Sequence, residues 1–281
     1  MGMIDFNKTQ WITYYSPISN KMTTKATINY VGHSTIHIEM DGTRLLTDPL
    51  LGKYVGHLRR QVPAPDKSLL DVDAVLISHL HGDHLDLPSL KSVGRGTRIV
   101  VPKGGGTFLK MRRFQYVEEI QAGDSITVGG VNILATRAVH EGKRLPWSPY
   151  IEPLGFIIDG TSEIYFAGDT DIFPEMIDIG DDLEVALLPV WGWGPSLGKG
   201  HMDPDRAAES LTHLKPKMAV PIHWGTYCPL IVDWFRPEFL RVPPIEFAKR
   251  AAEIAPNVQI QIVNPGQSFQ VSDADQFDNV S

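Results

Sequence analysis

The feature that most restricts this chain is the stretch Ser78-His79-Leu80-His81-Gly82-Asp83-His84. It follows the apolar run Ala74-Val75-Leu76-Ile77, which reads as a buried strand. Three of the chain's ten histidines and an aspartate fall within six positions. Side chains alternate along an extended backbone, so His79, His81 and Asp83 project to one side as the chain leaves the strand. His84 joins them only through a turn, and Gly82 supplies the freedom for it. Imidazole nitrogen and carboxylate oxygen are the ligand set of a catalytic divalent metal site, whereas closed structural sites are rich in cysteine. The one cysteine here is Cys228.

The spacing His79-x-His81-x-Asp83-His84 resembles the defining motif of the metallo-β-lactamase superfamily. That resemblance implies an α/β chain folded as an αββα four-layer sandwich, two mixed β-sheets with helices outside. It also implies three further ligands at strand ends: a His, an Asp or Cys, and a His. The strand-like run 131–136 leads to His140, the run 164–167 to Asp169, and the run 218–222 to His223. The resemblance allots His79, His81 and His140 to one metal and Asp83, His84 and His223 to a second, with Asp169 bridging. Aspartate at 169 departs from the penicillin-degrading members, which carry cysteine there, and points towards phosphodiesterases and lactonases. Smaller matches are Gly32-His33-Ser34-Thr35, Thr47-Asp48-Pro49, His201-Met202-Asp203-Pro204 and His223-Trp224-Gly225-Thr226. They resemble the branch that holds N-acylphosphatidylethanolamine phospholipase D and ascorbate-6-phosphate lactonase. The likeness covers most of residues 27–268.

The rest of the chain suits such a body. Apolar residues make up 42% and charged residues 21%, enough apolar material for a core without disulfides. A single domain over residues 1–281 is expected, with residues 1–26, which carry Trp11, Tyr14 and Tyr15, as an arm and the polar residues 272–281 as a flexible tail. Residues 50–70 read as loop, residues 85–93 as a short helix broken near Pro88, and residues 258–263 as the last strand. Asp203 before Pro204 reads as the cap of a helix whose apolar face is Ala207, Ala208, Leu211 and Leu214. Residues 1–30 lack the pattern of a signal peptide, and no run approaches the ~18 apolar residues of a spanning helix. The expectation is a cytoplasmic protein, with at most peripheral membrane contact. A net charge of −7 argues against a nucleic-acid partner.

The chemistry expected is hydrolysis. Two divalent ions roughly 3.5–4 Å apart can hold a hydroxide between them and stabilise charge on an attacked phosphoryl or carbonyl group. Zinc suits the ligands best, and manganese or iron also suits them. Asp83 would orient or deprotonate the water. His201 would lie beside the substrate, as the resemblance to the phospholipase implies. Trp147, Trp191 and Trp193 are candidate walls for an apolar substrate portion, with Arg59, Arg60 and Arg144 as anion contacts. Together they favour a lipid-like phosphodiester. Two alternatives stand beside it: a lactone or ester hydrolase with one manganese or zinc ion, and a metal-binding sensing module without turnover.

Overall fold

A computed structural model describes residues 24–180, 182–230, 232 and 237–272. The aromatic residues of the expected arm, and all of the expected tail except Ser272, lie outside them. Strands β1 (Thr24–Gly32), β2 (Thr35–Met40) and β3 (Thr43–Thr47) form an antiparallel meander. Its second turn, between β2 and β3, falls at Asp41-Gly42, a pair that favours tight hairpins. β6 (Ala74–Leu76), β7 (Arg98–Pro102) and β8 (Val117–Ile120) extend that sheet in parallel, and β17 (Gln267–Ser272) closes its other edge antiparallel to β1.

The second sheet begins with the antiparallel strands β9 (Ser125–Val128), β10 (Val131–Arg137), β11 (Leu154–Asp159) and β12 (Glu163–Phe166). It continues in parallel through β13 (Val185–Pro189), β14 (Met218–Ile222) and β16 (Gln259–Ile260). The two sheets share one apolar core, in which Ile28, Ile38 and Leu76 of the first meet Ile133, Phe156, Phe166 and Leu187 of the second. Alternation decides which face each residue serves. In β7, Val100 points into that core, while Ile99 and Val101 point outwards to Leu90 and Leu109 of helices α1 (Leu87–Val93) and α2 (Gly106–Lys110). β13 is buried at every position, with helix α3 (Pro204–Leu214) against it and the helix Pro243–Ile254 packed on α3 and on the neighbouring β14. The mixed αββα architecture expected from the sequence is the one found.

Several details differ. Residues 24–26 belong to β1, not to an arm. Pro88 lies in the first turn of α1, where no backbone N–H is needed, so it starts the helix that Asp86 caps and does not break it. The stretch 50–70 contains β4 (Tyr54–Val55) and β5 (Leu58–Arg60), which join β15 (Tyr227–Pro229) in a small third sheet. The run 258–263 yields only the two-residue β16, and the strand at the chain's far end is β17. Among the described residues, no helix is long and apolar enough to cross a membrane.

Candidate metal centre

Seven of the strands that run in one sense within their sheets release their chains at one end of the sandwich. Just past those ends stand His33 after β1, Asp48 after β3, His79 after β6, His140 after β10, Asp169 after β12, Trp191 after β13 and His223 after β14. Rigid strands with free loops beyond them are where α/β proteins build sites. His33, Asp48 and His223 hold positive φ values of 58°, 36° and 63°, a conformation costly for residues with a Cβ. Gly168 makes the Asp169 corner possible: a Cβ there would come 2.7 Å from the Ser78 Cβ.

The expected ligands meet in two groups. His81 Nδ1 lies 3.0 Å from both His79 Nε2 and His140 Nε2. Asp83, His84 and His223 form the second group with His33, which the motif does not include. Asp169 lies between: its Oδ2 is 3.1 Å from His84 Nε2 and 3.9 Å from His140 Nε2, and its Oδ1 is 3.2 Å from His223 Nε2. His201 reaches the same carboxylate, with Nε2 3.3 Å from Oδ2.

The outward nitrogens of the rings settle where the protons are. His140 Nδ1 donates to the Gly200 carbonyl at 2.8 Å, His223 Nδ1 to the Trp191 carbonyl at 2.7 Å and His81 Nε2 to the Lys143 carbonyl at 3.1 Å. A carbonyl only accepts, so each of those nitrogens carries the hydrogen. His84 Nδ1 donates to Asp48 Oδ2 at 2.8 Å. Ser78 Oγ gives its own hydrogen to Asp48 Oδ2 and so accepts from His79 Nδ1 at 3.0 Å. Every inward nitrogen is then left with a lone pair when its ring is neutral. Burial holds His79, His81, His140 and His223 below the ordinary histidine value, His140 at about 4 and His223 at about 3. Neutral lone pairs 3.0 Å apart repel unless a cation stands between them.

The carboxylates make the same demand. Burial alone would raise Asp169 and Asp83, and the surrounding imidazoles, His84 foremost for Asp83 and His223 for Asp169, hold both well below the carboxylate range. Burial would lower His84, yet Asp169, Asp83 and Asp48 push it well above its ordinary value. Asp169 Oδ1 is buried and has no hydrogen bond among the described residues, although His223 Nε2 lies 3.2 Å away. The donor set fits divalent cations, and the outward partners have the form that usually orients metal-binding histidines.

Two contributions are not visible in the motif. Asp48, wholly buried, accepts from the Ser78 backbone N–H at 2.7 Å as well as from His84, and so ties the ends of β3 and β6 to one ring. Arg144 donates to the carbonyls of Leu80 and Leu85, bracketing the His81–His84 turn, and its guanidinium lies over Phe108.

The other expected contacts are distributed differently. Arg60 is buried and donates to the carbonyls of Val31, Leu50 and Pro63 and to the Tyr227 hydroxyl, so it is a structural staple and not an anion contact. Arg144 is spent on backbone in the same way. Arg59 sits on β5 of the small sheet, opposite Cys228 of β15. Trp191 and Trp193 flank the cluster on the loop after β13, whereas Trp147 stands out from the loop after His140 at 81% exposure.

A family model described as the beta-lactamase superfamily domain matches residues 43–224, a span that contains all seven expected ligands. The chain belongs to the metallo-β-lactamase superfamily. Within the superfamily it is similar to proteins described as UPF0173 metal-dependent hydrolases. One from Pelotomaculum thermopropionicum is 31% identical over 87% of this chain and 99% of its own length. Another, from Methanopyrus kandleri, is 29% identical over 86% of this chain and 99% of its own. Among solved structures, a metallo hydrolase from the archaeon Ignicoccus hospitalis superposes with a TM-score of 0.66 at 25% identity, covering 89% of this chain and 99% of that one. The chain is accordingly a metal-dependent hydrolase of this superfamily.

Proposed function

We propose that the cluster holds two divalent ions, zinc foremost, and that the protein hydrolyses a phosphodiester. One ion is held by His79, His81 and His140, the other by Asp83, His84 and His223, with Asp169 shared. The observation that carries this reading is the Asp169 carboxylate, whose Oδ2 stands between His84 of one group and His140 of the other while its Oδ1 faces His223. When bound, such ions supply Lewis-acid activation of water and of the scissile group.

The chain's own residues do the rest. Asp169 offsets the charge of both ions from a buried position, and the outward partners, three carbonyls together with Ser78 and Asp48, fix five imidazoles before turnover begins. Asp83, in the second group, and His201, beside Asp169, are the groups that exchange protons with water and leaving group. His201 is the more exposed, its side chain at 22%, which gives it access to a bound substrate. Trp191 and Trp193 border the same region and would receive an apolar portion of a lipid-like substrate.

A lactonase reading is favoured by one finding, the commitment of Arg60 and Arg144 to backbone carbonyls, which leaves fewer cations for a phosphate. Elemental analysis alongside hydrolysis of bis(p-nitrophenyl) phosphate and a lactone panel separates the readings. Two equivalents of metal with phosphodiester turnover are expected. Turnover confined to lactones would overturn the phosphodiester assignment, and metal binding without any turnover would favour a sensing module.

A further inference from the structure

The loop after β13 is fastened to the second group twice. The Trp191 carbonyl accepts from His223 Nδ1 at 2.7 Å, and the Trp193 indole N–H donates to Asp83 Oδ2 at 3.1 Å. His33 Nε2 approaches the same oxygen at 3.2 Å. The Trp193 ring does not float over the site. It packs against Leu50, Leu58 and Tyr227, the cluster beneath the small third sheet, and meets His57 edge-on with centroids 5.2 Å apart. An indole has a single donor and no acceptor, so its direction is fixed once the ring is packed. The small sheet therefore sets where that N–H points, and the N–H sets where the Asp83 carboxylate points.

We propose that Trp193 is a positioning residue for the second cation: it aims Asp83, and the packing of its ring on the β4-β5-β15 sheet makes the affinity of the second group depend on the docking of this loop. The inference rests on the two-cation reading above. It gives Trp193 a task at the metal site beyond bordering a substrate pocket. The first group is not tied to this indole, since His79, His81 and His140 have their outward partners in Ser78, Lys143 and Gly200. Losing the N–H should thus act on one ion and not on both. Loss of a partner that orients a metal ligand typically weakens binding by about 10–100-fold.

The test is a titration of the metal-free full chain with Zn²⁺ against a chromophoric chelator, repeated with Co²⁺ to follow its visible absorption. Trp193→Phe keeps an aromatic ring for packing and removes the donor. The expected result is one equivalent bound as in the wild type and one about 10–100-fold weaker, with an altered Co²⁺ spectrum for that equivalent alone. The same variant should lose kcat with little change in KM. Leu58→Ala, which removes packing beneath the ring and leaves the indole N–H in place, should weaken the same equivalent by a smaller factor. If Trp193→Phe does not fold, Leu58→Ala decides by the same readout. Wild-type affinity for both equivalents, or equal weakening of both, would overturn the positioning role. A wild-type chain that binds fewer than two equivalents would overturn the two-cation reading itself, and this inference with it.

Discussion

Asp169 and His81 are predicted to fail in different ways. His81 belongs to one group, so His81→Ala should lose one equivalent of metal and most activity while the fold survives, because its ring sits in a loop at a strand end. Asp169 approaches both groups, so Asp169→Asn, which keeps the shape and removes the charge, should loosen both equivalents together. Elemental analysis after dialysis against a weak chelator distinguishes the two patterns. Retention of both ions in Asp169→Asn would show that its carboxylate is not shared. Asp48 touches no inward nitrogen, yet it holds the outward nitrogen of His84. Asp48→Asn places an amide N–H or a reoriented carbonyl against that ring and should weaken the second equivalent about 10–100-fold, read by the same metal titration.

At the scale of elements, the exits of β6 and β12 touch, and the contact is testable. Gly168 has φ +61°, and a Cβ on it would lie 2.7 Å from the Ser78 Cβ and 3.0 Å from the Leu154 carbonyl oxygen. Gly168→Ala should cost about 2–4 kcal/mol, from the left-handed backbone together with overpacking. Urea unfolding measures it, and a midpoint unchanged from the wild type would contradict the close approach. Much of this element layout is legible in the sequence. Continuous apolar runs announce β6, β13 and β14, and the residues just after the strands are the ones the structure gathers. What escapes the sequence has physical reasons. β5 is three residues with two arginines, and it belongs to a sheet through its pairing with β4 and with the distant β15, which no local pattern announces. β17, Gln267–Ser272, alternates too weakly to read as a strand, because it is an edge strand with one buried residue, Val271. The expected role of Arg144 fails for a related cause, since a guanidinium bonded to carbonyls and one awaiting a phosphate look the same in one dimension.

At the scale of the whole molecule, the buried histidines couple stability to pH. Burial depresses His140 to about 4 and His223 to about 3, and it also lowers His37, His79 and His81. Below the unfolded histidine value of about 6.5, the unfolded chain takes protons that the folded chain refuses, so stability falls with pH. Raised groups act oppositely: His84 and His201 add stability below about 6.5 that is lost as pH rises through their folded values. Below about 6.5 the two raised rings are protonated in both states and add no slope, so the lowered rings set it, and the metal-free protein should lose melting temperature steadily from pH 6.5 towards 4. Scanning calorimetry across that range checks it, and a flat or rising melting temperature would contradict the account. Bound metal should steepen the loss, because protons compete for the inward nitrogens.

The pairing of β17 with β1 has a consequence for how the molecule comes into being. β1 is among the earliest described segments to leave the ribosome and carries His33 at its end, yet its outer neighbour, joined as Ile28 to Phe269 and Tyr30 to Gln267, is among the last. Throughout synthesis, one side of β1 is an open ladder of unpaired backbone groups, able to recruit a strand from another chain. Completion of the sheet waits on the emergence of Gln267–Ser272, so a chain stalled before that segment keeps the edge of β1 open. The histidine-rich motif emerges well before its partner strands do, and a nascent chain can meet a metal ion before the fold exists to choose among them.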